Sequence, residues 1–153
     1  MAIRISRYRI DMDSKPIKNL ASPSNPSDAA RLDNLSSAII FVIDGGGSAI
    51  TTGVKGYVRV PFDCTITKCT LLADQTGSIQ IDIWKDTYAN FPPTDADSIC
   101  GGNEPAISSA QKYEDSTLTG WTKTISAGDI LAFNVDSCST ITRVVITLDY
   151  DKS

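Results

Sequence analysis

The chain has 153 residues, 41% of them hydrophobic and 21% charged, with a formal net charge of −4. That balance suits one globular domain with an appendage, able to bury about 70% of its extended-chain surface, and falls outside the disordered classes. With no histidine, and with Cys64, Cys69, Cys100 and Cys138 in no CxxC pair, the chain excludes Ser-His-Asp, Cys-His and His-based acid–base machinery and shows no zinc-site spacing.

The first predicted element is a basic arm. Residues 1 to 18 carry Arg4, Arg7, Arg9, Lys15 and Lys18 against Asp11 and Asp13, a balance of plus three that leaves minus seven on the remainder. An acidic body does not offer the broad phosphate-neutralising surface that nucleic acid requires, so no nucleic-acid partner is expected. The alternation of "IRISRYRI", with Ile3 and Ile5 on one face, reads as a strand docking on a partner. "MAIRISRYRI" lacks the apolar core of a signal peptide, and no apolar run approaches the ~20 residues of a spanning helix. Synthesis in the cytoplasm without membrane insertion is the expectation.

A connector follows. Pro16, Pro23 and Pro26 fix φ and hold the preceding residues extended, so residues 15–25 read as a turn-punctuated tether. Ser27 or Asp28 is a candidate N-cap, and Ala29, Leu32 and Leu35 recur at three-residue spacing, with Ile39 four residues on. One or two helical turns are marginal alone in water, so this seam is expected to pack on the domain or on symmetry-related copies. The organisation predicted is therefore an arm, connector and short helix over residues 1–37 and a β domain over 38–153.

From Ala38 the apolar period becomes two. "AIIFVID" is a short strand closed by Gly45, Gly46 and Gly47. "VKGYVRVPF" sets Val58, Val60 and Phe62 on one face and Tyr57 and Arg59 on the other. "TITKCTLLA" is a further strand. In "SIQIDIW", Ile79, Ile81 and Ile83 point inward while Gln80, Asp82 and Trp84 face out. "LTGWTKTI" adds another, "ILAFNVD" groups Leu131, Phe133 and Val135, and "TITRVVITLDY" groups Val144, Ile146, Leu148 and Tyr150. At least seven short strands separated by Gly, Pro, Asp and Ser clusters predict an all-β protein, an antiparallel β-sandwich with jelly-roll-like connectivity. Residues 86–116 are the longest non-periodic stretch and are expected to cross one end of the sandwich, with one short strand near Ser98.

Several stretches carry candidate sites, most with a plainer reading. "DGGGSAITTG" lacks the Lys-Ser/Thr ending of a phosphate loop and leads into a strand, so it reads as a glycine turn. Asp95, Asp97 and Glu104 share a loop without EF-hand spacing. Asp82 with Asp86, or Glu114 with Asp115, read as solubilising acids in preference to a glycosidase pair. The cysteines read as small buried or half-buried thiols, with one disulfide as the alternative. No metal, cofactor or enzymatic activity is expected. Trp84, Tyr88 and Phe91, with Asp95 and Asp97 in the same loop, are the candidate ligand-binding set, since exposed aromatics can stack on a sugar face. The alternative is that Trp84 and Trp121 close the sandwich or a subunit interface.

The connector "IKNLASPSNPSDAARLDNL" resembles that of bacteriophage tail-fibre and virion appendage proteins, I-x-N-L-x-x-P-x-x-P-x-D-A-A, matched by Ile17, Asn19, Leu20, Pro23, Pro26, Asp28, Ala29 and Ala30. The stretch from "VIDGGG" to "DIWKD", with Gly45 to Gly47, Gly53, Gly77 and the Gly120-Trp121 pair, is similar to small β domains among phage structural genes. The resemblance spans about Ile17 to Tyr150. It implies a non-enzymatic virion protein, assembled as a homotrimer, that attaches to other virion proteins through its N-terminal arm and meets a host surface glycan or protein with its β domain. Ile3, Ile5, Ile17, Leu20, Leu32 and Leu35 would serve attachment and assembly, and the face opposite the arm would carry the contact. Without a repeated shaft, the chain would be a short tail fibre or tail adaptor. A capsid decoration or head-fibre protein and a carbohydrate-binding module are the alternatives.

Overall fold

The computed structural model describes residues 36–152, which form seven strands: β1 (Ser36–Asp44), β2 (Gly53–Arg59), β3 (Cys64–Asp86), β4 (Ala106–Asp115), β5 (Thr124–Ile125), β6 (Ile130–Ser139) and β7 (Arg143–Lys152). The predicted helical seam at Ala29, Leu32 and Leu35 and the arm lie outside the described residues, while Ile39 sits on strand β1.

The organising element is β3, 23 residues long. Its first half, residues 64–73, pairs with β7, and residues 78–86 pair with β6. Strand β4 runs along the opposite edge and pairs with both halves. With β1 on β7 and β2 on β6, the pairing gives two leaves, β1-β7-β3-β4 and β2-β6-β3-β4, every pair antiparallel. This is jelly-roll order, with two bent strands passing from one sheet to the other. The expected strands "TITKCTLLA" and "SIQIDIW" are thus one strand with a corner. The corner falls at Gly77, where an added Cβ would lie 2.8 Å from Ile141 Cγ1, so a larger residue would force the chain off its neighbour.

Alternation explains the core. Ile79, Ile81 and Ile83, Leu131, Phe133 and Val135, and Val144, Ile146, Leu148 and Tyr150 are all buried in one cluster, as period-two patterning requires. Phe41 reaches across from the first sheet to stack on Phe133 of the second, with centroids 4.4 Å apart and planes at 7°. Gly56 gives Phe41 its space, because a Cβ there would lie 2.8 Å from the ring's Cζ. The four cysteines are free thiols; Cys64, Cys69 and Cys100 are buried and Cys138 half-buried.

Two expectations need correction. The stretch 86–116 is not all loop: residues 106–115 form β4, whose only fully buried residue is Ile107. "LTGWTKTI" contributes only the two residues of β5, and Trp121 belongs to the core, its Nε1 donating to the Asn103 carbonyl at 3.0 Å.

The strand registers set the ends of the sandwich. Connections 45–52, 73–77 and 139–143 lie at one end; 60–63, 87–105 and 116–129 lie at the other, where Ser36 begins β1. The first end is latched by acids. Asp74 accepts hydrogen bonds from the Thr142 hydroxyl, from Thr142 N at 3.2 Å and from Arg143 N at 3.1 Å. Asp44 accepts from Arg143 Nε at 2.8 Å and from Gly46 N at 2.7 Å, so "DGGG" is a glycine turn, with Gly46 and Gly47 at positive φ.

Candidate functional site

The second sheet turns outward the residues of β2, β6 and β3 that its core-facing isoleucines leave over. Register places Tyr57, Ala132 and Trp84 in one row, and Arg59, Ile130 and Asp86 in the next. Ala132 and Ile130 point out from the sheet yet are buried, because the connection after β3 folds back over them. Phe91 in that connection meets Tyr57 edge to face, with centroids 4.8 Å apart and planes at 67°, an arrangement favoured by ring quadrupoles.

The crossing loop is fixed at several points. Asp86 Oδ1 accepts from Thr87 N at 2.6 Å and Asn90 Nδ2 at 3.1 Å, which holds a 3₁₀ turn over Tyr88–Asn90. Thr94 and Asp97 close a capping box around a second turn, Asp95–Asp97. Asp97 is held below the usual carboxylate range by the Thr94 backbone N–H and hydroxyl. Ser98 then bridges to Trp84, supplying the short extended contact expected near that serine.

Asp82 ties this loop to the sheet. Although it projects from the outer face, it is buried. It accepts from Trp84 Nε1 at 2.6 Å, Ser98 Oγ at 2.6 Å and Ile83 N at 2.7 Å. A buried carboxylate with three donors satisfied is a structural anchor, so Asp82 is neither a solubilising acid nor free for acid–base work.

The structure divides the expected ligand set. Tyr88 and Phe91 are exposed, at 76% and 48%, and are joined by Tyr57 at 44%, whose part the sequence did not signal. Trp84 is half-buried with its indole N–H committed to Asp82. Asp97 is committed to Thr94. Asp95 belongs to an acidic group: like charges at Asp82, Glu104 and Asp95 add to burial in raising the Asp136 carboxyl. Among the described residues no group of three or more Cys, Asp or Glu is placed to hold a metal ion. Burial pushes the Cys69 thiol up to about 12 and the Cys100 thiol up as well, so neither is a thiolate nucleophile at neutral pH. Ile3, Ile5, Ile17, Leu20, Leu32 and Leu35 lie outside the described residues.

Beside the aromatics, an open cleft of about 620 Å³ lies between the Tyr88 turn and the 126–129 turn, with Arg59 on its floor. The cleft is on the outer face of the sheet that does not contain β1, at the end of the sandwich where β1 begins. An all-β jelly roll with one aromatic outer face is the class these observations define. No protein-family model matches the chain, and no curated protein matches it.

Proposed function

We propose that this chain is a non-enzymatic virion structural protein, a short tail fibre or tail adaptor, whose jelly roll is presented in several copies for host-surface contact. The observation that carries the reading is the Tyr57–Phe91 pair with Tyr88 beside it. Large aromatics held exposed by a braced loop contribute little to folding, and surfaces of this composition are enriched where proteins bind partners. The connector resemblance supplies the virion context.

The opposite outer face supports assembly. On the first sheet Ile40, Val42 and Leu72 are exposed at 63%, 51% and 51%, and Val42, Val145 and Leu72 share one cross-strand row. Four strands of about nine residues present roughly 30 by 19 Å, or about 600 Å². Packed on a different, equal patch of a neighbouring copy, as a ring of three requires, this face buries about 1,200 Å² in total, above the ~1,000 Å² expected of a specific interface. We assign this face to other copies in a homotrimer, leaving the aromatic face outward. Weak contacts then act together, since tethering raises apparent affinity by about 10²–10⁴.

Light scattering on the intact chain and on a version beginning at Ser36, with binding of each to bacterial cells, tests the reading. A trimer that binds cells, weakened by truncation and by Phe91→Ala, supports it. A monomer that binds glycan unaided points to a carbohydrate-binding module, and tight association with capsid protein without cell binding points to a decoration protein.

A further inference from the structure

We propose that the Arg59 cleft binds the carboxylate of an acidic sugar, with Tyr88 as the platform for the sugar ring; this specifies the ligand of the host-contact face and rests on that reading. The argument begins with charge pairing. The side chains of Lys55, Lys68, Lys85, Lys123, Arg143 and Lys152 each have an oxygen or ring partner. Among the described residues Arg59 and Lys112 have none, and of the two only Arg59 lines this cleft. It is exposed at the end of β2 in an otherwise acidic body, a place where a carboxylate partner would be easy to supply.

Two acids share its surroundings, Asp129 in the cleft lining and Asp86 in the same cross-strand row. Asp129 Oδ2 takes Lys85 Nζ at 3.1 Å and Ser126 N at 2.9 Å. Asp86 Oδ1 is used by Thr87 N and Asn90 Nδ2. Each acid is braced through one oxygen and neither forms an ion pair with Arg59, whose planar fork of donors suits a bidentate carboxylate. Gly128, at positive φ, sets the turn beside the guanidinium, its Cβ position 3.7 Å from Arg59 Nη2. Ala127 N donates to Asp63 Oδ1 at 2.8 Å, so that wall is fixed before any ligand arrives and little ordering is left to binding.

The cleft's other wall is the turn after β3. Thr87, Tyr88 and Ala89 line it, with Tyr88 76% exposed, and the cleft's volume lies within the ~300–1,000 Å³ of small-ligand sites. A ligand joining one carboxylate to an apolar C–H face and several hydroxyls matches this inventory, and a hexuronic acid residue has that chemistry. A neutral sugar leaves Arg59 unused, and an acidic peptide leaves the Tyr88 face unfilled.

The test is an NMR titration of the intact chain with a hexuronic acid tetramer, its methyl ester, a neutral hexose tetramer and a glutamate tetrapeptide, for the native protein, Arg59→Gln and Tyr88→Ala. The uronic tetramer should shift the Thr87, Tyr88 and Gly128 amides with millimolar affinity. The methyl ester and Arg59→Gln should each weaken binding about tenfold, with the melting temperature of Arg59→Gln unchanged. Equal binding of acid and ester overturns the carboxylate assignment, and equal binding of the glutamate peptide overturns the sugar. No shift at these amides, in a protein that still binds cells, overturns the cleft and spares the host-contact reading. Loss of cell binding as well removes both.

Discussion

The two outer faces of the sandwich start from the same strand pattern and end as different surfaces. On the first sheet Ile40, Val42 and Leu72 stay exposed among threonines, whereas on the second Ile130 and Ala132, equally outward, are buried. The difference lies in the connections. The second sheet is roofed by residues 87–97, pinned to Asp82 and Asp86, and the roof carries Tyr88 and Phe91 outward. Strand alternation decides which way a side chain points; the long connection decides whether water reaches it.

The comparison presumes one shared core, and Phe133 tests that most severely. Phe133→Ala removes the ring on which Phe41 stacks and should cost about 3–5 kcal/mol in urea unfolding. In a Trp121→Phe background, where Trp84 is the sole tryptophan, its fluorescence from the second sheet should follow the same single transition as far-ultraviolet circular dichroism. Separate transitions would divide the molecule into two independently stable sheets and break the comparison.

Asp82→Ala probes the roof. It strands the Trp84 and Ser98 donors and should cost about 1–3 kcal/mol, with a shift in Trp84 emission as the loop loosens. A loss no larger than that of an ordinary surface change would mean that the loop holds itself in place. On the bare face Leu72→Ser should stay within about 0.5 kcal/mol of the native protein while lowering the solution mass. Unchanged mass for the double variant Ile40→Ser, Leu72→Ser would remove this face from assembly.

Much of this architecture was legible in the sequence because burial on one face writes a period of two. Ile79, Ile81 and Ile83 and the Val144–Tyr150 series gave the sheets and the fold class. β4 was not legible, since an edge strand with Ile107 alone deeply buried leaves no alternation to read. The corner in β3 was hidden too: a strand that changes sheets looks like two strands with a turn. At the site, Tyr88 and Phe91 could be picked out as aromatics in a long loop. Tyr57 and Arg59 could be placed on the outer side of β2, but their meeting with the loop depends on the β2-β6-β3 register, which local sequence does not encode. Asp82 was misjudged because its burial comes from Ser98 and its loop, far along the chain.

The smallest effect separates the two faces by pH. At the latched end, Asp44 and Asp74 are held below the usual range, chiefly by Arg143 and by the Thr142 hydroxyl respectively. Groups lowered in the folded state add stability that is present above the unfolded carboxyl value near ~4 and fades as pH falls through the folded value. On the roofed sheet Asp136 is raised, first by burial and then by its acidic neighbours, so its sign is opposite. Its favourable contribution exists below ~4 and is lost as pH rises through its folded value, which makes the ionised group a liability at neutrality. Asp136→Asn should therefore raise the melting temperature at pH 7, and the gain should vanish by about pH 3.5, below its unfolded value. Asp74→Asn should lower it at pH 7, with the deficit shrinking as acid protonates the native carboxylate. If both variants shift melting in the same direction at pH 7, the latched end and the roofed sheet do not differ electrostatically, and crowding by Asp82, Glu104 and Asp95 does not act on Asp136.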